Sequence, residues 1–193
     1  MKINAIKAYR QDQPFRDGTY TCSGNRSAEG FDSTIVEIVS DHGVSGWGEM
    51  APLGAFYAPA FAAGARAGIA ELAPYLLGTD PRQLRAIERL MDHRMAGHPY
   101  VKAALDMACW DLAARAAGQP LAEFLGGRFG TSVDLYRSVS QEAPDRMVAR
   151  AKKYVIAGYR RLQVKVGLDP REDIERLLAV RDAVGKEIVL FAD

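Results

Sequence analysis

Two side chains in this sequence could carry chemistry, and each stands near the C-terminal end of a strand-like run. Lys165 lies in Arg161-Leu162-Gln163-Val164-Lys165-Val166-Gly167, and Asp193 closes Ile188-Val189-Leu190-Phe191-Ala192-Asp193. A lysine in its neutral form can take a proton, and a carboxylate can bind a metal cation, so the pair suggests carbanion chemistry beside a carboxylate. Each also has a plainer reading. Lys165 could be a strand-end lysine paired with an acid, and Asp193 a capping acid in a βα loop.

Parity decides where these groups point, because alternate residues of a strand face opposite sides. Leu162, Val164 and Val166 form one aliphatic face suited to helices, which leaves Arg161, Gln163 and Lys165 on the other. A polar face on a strand covered by helices fits the interior or mouth of a barrel, where active sites collect at the C-terminal strand ends. By the same count Asp193 sits with Val189 and Phe191, and Ser138 with Tyr136 and Asp134, so Lys165, Asp193 and Ser138 are expected on one rim.

The elements that must position them follow from periodicity. Lys2–Tyr9, Ser33–Ser40 and Val44–Glu49 read as an antiparallel meander, the last two joined by the turn Asp41-His42-Gly43. Gln11–Asp32 between them reads as a long loop, and loops of that length are usually functional or disordered; here it reads as a lid. A helical stripe of Phe61, Ala65, Ile69, Leu72 and Leu76 follows. Asp80-Pro81 is expected to open a second helix, and a third runs from about Tyr100 to Ala117. From Val133 the rhythm alternates: strands Val133–Val139, Arg161–Val166 and Ile188–Asp193, with helices Asp145–Ala157 and Pro170–Val184 between them. Such alternation implies parallel strands with right-handed crossovers. The helical stripes are Met147, Val148, Ala151 and Val155, then Ile174, Leu177, Leu178 and Arg181. The boundary between the two modules is expected near Arg128–Thr131.

Composition narrows the function classes. With 48% hydrophobic and 25% charged residues and a formal charge of +1, the chain matches soluble globular usage and offers no polyanion-binding surface, so nucleic acid is not an expected partner. Cys22 and Cys109 are too few for a disulfide framework or a zinc knuckle. No signal peptide and no apolar run of the roughly 20 residues a membrane helix needs is visible, so a cytoplasmic location away from membranes is expected. His42, His93 and His98 have no metal-ligand spacing, and Asp106 and Asp111 read as capping acids or as acids hydrogen-bonded across the domains.

Several stretches together resemble the mandelate racemase and muconate lactonizing branch of the enolase superfamily. They are Gly46-Trp47-Gly48-Glu49, Asp106-Met107-Ala108-Cys109-Trp110-Asp111-Leu112 within the third helix, and Pro120-Leu121 to Leu125-Gly126-Gly127. The resemblance spans essentially the whole chain. It implies an α+β N-terminal cap over residues 1–128 and the first three strands of a modified TIM (β/α) barrel over 129–193. It also implies Mg²⁺ as cofactor, a small carboxylate substrate and, as Lys165, the general base that removes the proton α to that carboxylate. Asp193 matches the first of three acidic Mg²⁺ ligands. Gln163 stands where the family's first lysine would be, a variant associated with branches acting on proline-like or betaine substrates, such as a proline-betaine epimerase or a hydroxyproline dehydratase. Substrate-facing candidates are Gln163 and Ser138 on the strands, Arg26 as a carboxylate clamp in a first cap loop (Phe15–Gly30), and Phe56 and Tyr57 as an apolar or cation-binding wall in a second (Pro52–Pro59). A homo-oligomer is expected.

A complete barrel takes eight strands and about 250 residues. The chain is therefore expected to be cut off part-way through a barrel and to be inactive by itself. Two rival readings stay open: a flavodoxin-like module phosphorylated on Asp193, and a non-catalytic fragment.

Overall fold

The alternating apolar residues near the N-terminus build a sheet with one buried face. The computed structural model describes residues 1–193 and places the first strands as β1 (Ile3–Pro14), β2 (Tyr20–Cys22), β3 (Arg26–Ala28), β4 (Gly30–Ser40) and β5 (Ser45–Met50). By packing the chain divides into two units: Met1–Pro14 with Gly30–Phe129, and Phe15–Glu29 with Gly130–Asp193. The change at Phe129 falls beside the boundary expected from sequence. Phe15–Glu29, expected within the first domain, clusters with the second unit.

In the first unit β1, β4 and β5 form an antiparallel sheet in the order β1-β4-β5. The strands are longer than their apolar patterns predict. Gln11–Pro14 pairs rung by rung with Gly30–Ser33 although these β1 residues are mostly exposed and polar, because the ladder is held by backbone bonds that need no apolar face. The expected loop is accordingly shorter, and part of it is the small hairpin β2–β3.

Four helices complete this unit: α1 (Ala62–Leu76), α2 (Leu84–Arg94), α3 (Pro99–Ala116) and the short α4 (Leu121–Phe124). The second helix starts later than Asp80-Pro81 suggests. The Asp80 carbonyl accepts from Gln83 N–H at 3.0 Å and its carboxylate from Arg82 N–H at 3.0 Å, which closes a turn before the helix can begin. Val36 and Ile38 of the sheet meet Ile69, Leu72, Leu76, Ile87, Met91, Leu105 and Leu112 in one core. Each such side chain contributes about 1.5–3 kcal/mol by leaving water.

The Gly-x-Gly of β5 has a steric cause. A Cβ on Gly46 would lie 2.2 Å from the Ala108 carbonyl oxygen, and one on Gly48 2.0 Å from that of Ala104, so the strand can lie on α3 only without side chains there. Asp111 of α3 fixes the contact by accepting from Trp47 N–H at 2.9 Å, a hydrogen bond within this unit rather than the capping or cross-domain one expected.

In the second unit β6 (Arg137–Val139), β7 (Arg161–Val164) and β8 (Val189–Ala192) form a parallel sheet in that order, with α5 (Pro144–Ile156) and α6 (Pro170–Val184) as crossovers. The first of these strands is shorter than expected, since Val133–Leu135 stays out of the ladder and exposed. Val139, Leu162 and Val164 pack on Met147, Ala151, Tyr154, Val180 and Ile188. The buried stripe of α6 also differs from the expected one. Ile174 and Leu178 are more than half exposed, whereas Asp173 and Arg176 are buried as an ion pair at 2.8 Å and Leu177 is partly buried beside Val180.

Candidate active site

The site forms where β7 and β8 end side by side. Their register pairs Gln163 with Phe191 and Val164 with Ala192, so Lys165 and Asp193 are next in line on neighbouring strands. The backbone keeps this register past the last paired residues: Asp193 N–H donates to the Val164 carbonyl at 3.1 Å, and Val166 N–H to that of Asp193 at 3.0 Å. Both side chains then project from the face opposite Leu162 and Val164, as parity requires. Lys165 Nζ donates to Asp193 Oδ2 at 2.5 Å, and Gln163 Nε2 donates to the same oxygen at 2.8 Å.

The two charges live in different surroundings. The Lys165 side chain is 6% exposed and that of Asp193 56%. Burial alone would lower the pKa of Lys165, but hydrogen bonds to Asp193 and Tyr20, together with their charge, outweigh it and hold the ammonium above its usual range. In this arrangement Lys165 is therefore protonated, with Asp193 as its counter-ion.

Tyr20 was not among the expected site residues. It lies on β2, and its ring centroid is 5.7 Å from Lys165 Nζ. The only hint in the sequence is the short aromatic and β-branched run Tyr20-Thr21, too brief to stand out from the surrounding polar residues. Two further contacts bring the same segment to the strand ends. Gln141 N–H donates to the Thr21 carbonyl at 3.2 Å, and a Cβ on Gly167 would come within 2.9 Å of Ser23 Cβ. Asp173 was likewise missed. Its Oδ2 accepts from Gly167 N–H at 2.8 Å and Leu168 N–H at 3.3 Å, which fixes the loop directly after Lys165.

Of the remaining candidates, Ser138 shares a rung with Gln163, one row behind Lys165, and its hydroxyl is buried without a partner. Arg26 opens β3 on the exposed side, and its Nε donates to the Ser23 carbonyl at 3.0 Å, so this group braces its own hairpin. Phe56 and Tyr57 belong to the first unit, in the turn closed by Tyr57 N–H on the Gly54 carbonyl at 3.0 Å, and both rings are exposed. Cys22 and Cys109 are free and buried; burial pushes the Cys109 thiol up to about 12.

A magnesium ion takes about six oxygens. Asp193 is the right type of donor, and no three Asp, Glu, His or Cys side chains converge anywhere in residues 1–193.

The N-terminal domain pattern of mandelate racemase / muconate lactonizing enzyme matches residues 20–126, more than half of the chain. The chain belongs to this family. Among relatives of the mandelate racemase / muconate lactonizing enzyme family, a cis-3-hydroxy-L-proline dehydratase from Roseibium aggregatum is 47% identical over the whole chain and 53% of its own length. An N-succinyl-L-Arg/Lys racemase from Bacillus cereus is 31% identical over the whole chain and 52% of its own length. A crystal structure of the latter kind of enzyme from Bacillus cereus superposes with a TM-score of 0.94 at 30% identity, over the whole chain and 52% of its own. A member of the enolase superfamily from Roseovarius nubinhibens, crystallised in complex with magnesium, superposes with a TM-score of 0.88 at 39% identity, again over the whole chain and 52% of its own. The chain thus spans about half the length of the relatives it matches. Its fold is the family's α+β N-terminal domain followed by the first three strands of a modified TIM barrel. The flavodoxin-like reading falls with this assignment. No helix is long and apolar enough to cross a membrane.

Proposed function

We propose that the whole protein removes the proton α to the carboxylate of a small amino-acid-like substrate, with Lys165 as the base, and that the substrate is a hydroxyproline or a related cyclic amino acid. One observation carries this reading: the buried Lys165 Nζ and the Asp193 carboxylate project together, 2.5 Å apart, from the C-terminal ends of adjacent parallel strands. That is the end of a (β/α) barrel where chemistry is done.

Lys165 would accept the Cα proton in its neutral form, which requires Asp193 to leave the ion pair for its metal so that burial, which lowers the pKa of the lysine, prevails. Asp193 would be one ligand of Mg²⁺, oriented by Gln163 Nε2, with the other oxygens supplied outside residues 1–193 in a protein of the relatives' length. Bound Mg²⁺ would supply the positive charge that stabilises the negative charge developing on the substrate carboxylate. In a 3-hydroxy amino acid the electron pair released from Cα–H would then form the Cα=Cβ double bond as the Cβ–O bond breaks, and the hydroxyl would leave as water with the proton that Lys165 had taken or one from solvent. The activities of these relatives, a dehydration and a racemisation of amino-acid derivatives, are compatible with one shared first step.

The test is exchange of the Cα proton of cis-3-hydroxy-L-proline in D₂O, with product release followed in parallel, using the full-length protein. Exchange with loss of water supports the dehydratase reading. Exchange and inversion of an N-succinyl amino acid without turnover of hydroxyproline would move the assignment to a racemase. Unchanged exchange in Lys165→Ala would remove Lys165 from the role of base.

A further inference from the structure

The segment Phe15–Glu29 leaves β1 and returns to β4, yet it clusters with the parallel strands. Its firmest attachment is Asp17, whose side chain is 17% exposed. The carboxylate forms an ion pair with Arg137 of β6 and another with Lys153 of α5 at 2.9 Å, and the Tyr154 hydroxyl donates to it at 3.4 Å. The Asp17 carbonyl accepts from Arg150 Nη1 at 3.4 Å. Arg137 is itself held over the Tyr154 ring, 4.7 Å from its centroid. Gly18, with φ at +79°, then turns the chain, and two residues later Tyr20 stands against Lys165.

We propose that Asp17 is a latch: it holds Phe15–Glu29 on the strand ends so that Tyr20 walls the Lys165 side of the site, which makes Asp17 a positioning residue for the reaction proposed above, on which this inference rests. The electrostatics make Asp17 a charged point of hold for the segment, beside the backbone bond from Gln141 to Thr21. One partly buried carboxylate serves the cations of β6 and α5, and its removal takes this counter-charge from both Arg137 and Lys153. The segment then loses attraction to the strand ends. A substrate that binds only the closed form must bear the cost of closing, so its apparent affinity falls by the fraction closed while the rate at saturation is kept.

The experiment compares D17N, R137Q and D17E with the parent full-length protein through two readouts, tryptic cleavage after Arg26 under native conditions and steady-state KM and kcat. D17N and R137Q should each speed cleavage after Arg26 by about tenfold and raise KM by about tenfold with kcat within about twofold, and D17E should restore most of both. Should D17N not fold, R137Q carries the same two readouts. Parent-rate cleavage in the folded variants overturns the latch, and so does faster cleavage with KM unmoved, because anchoring would then not position the site. A parent enzyme that turns over no substrate defeats the proposed activity, while the cleavage readout still decides whether Asp17 holds the segment.

Discussion

Lys165 Nζ and Asp193 Oδ2 lie 2.5 Å apart on adjacent parallel strands, one group buried and the other open to solvent. The pair is self-consistent as charge and counter-charge, and it joins a prospective base to a prospective metal ligand. An arginine at position 165 would keep the positive charge but cannot give up its proton in a protein. Lys165→Arg should therefore leave the thermal unfolding of the full-length protein near that of the parent while Cα proton exchange falls by about 10²–10⁴. Exchange at the parent rate would remove Lys165 from the reaction.

Gln163 donates to the same Asp193 oxygen as Lys165, which fixes the carboxylate from a second direction. Partners that orient a metal ligand typically change affinity by about 10–100-fold. Gln163→Leu should weaken Mg²⁺ binding to the full-length protein by about that factor in calorimetric titration, with little change in its melting temperature. Unchanged affinity would separate Gln163 from the metal.

Asp173 links pH to the loop after Lys165. Burial would raise its pKa, but hydrogen bonds from Gly167 N–H, Arg176 and Leu168 N–H outweigh it and hold the carboxyl below its ordinary value. Its folded pKa being the lower one, its contribution to stability is complete above the ordinary carboxylate range and is lost as the pH falls through the lowered value. Between about pH 6 and pH 3 the melting temperature of Asp173→Asn should therefore fall less than that of the parent. Asp173→Ala, which strands the Gly167 N–H, should cost about 1–3 kcal/mol in urea unfolding at neutral pH.

Gly48 has no room for a side chain against the Ala104 carbonyl. Gly48→Ala should destabilise the protein by about 1–3 kcal/mol or more, measured by urea unfolding, without changing the Mg²⁺ affinity. A neutral outcome would mean that β5 can shift on α3 freely.

The parallel strands were legible because burial writes itself into alternation: Leu162 and Val164 are apolar where helices cover them, and Lys165 stands out against that pattern. The convergence of Lys165 and Asp193 was expected only if their strands were neighbours, and the register of β8 beside β7 meets that condition. What escaped was held by other means. Gln11–Pro14 joins the β1–β4 ladder through backbone bonds, which leave no apolar signature. Asp17 and Asp173 act through partners far along the chain or through a local loop closure, and a single aspartate looks the same in either role. The stripe of α6 was misplaced because Asp173 and Arg176 neutralise each other and can be buried together, a pairing that hydropathy counts as solvent-facing.

The chain passes between its two units at Pro14–Phe15, at Glu29–Gly30 and at Phe129–Gly130. A recombination point placed at the last of these, where relatives would seem easiest to shuffle, would carry Phe15–Glu29 away with the N-terminal part. Such a chimera would combine the Lys165 of one parent with the Tyr20 of the other, and its Asp17 would meet foreign residues at positions 137 and 153. Grafts between relatives should therefore succeed or fail by the match of these few positions, and barrel swaps need a second junction that keeps the inserted hairpin with its own strands.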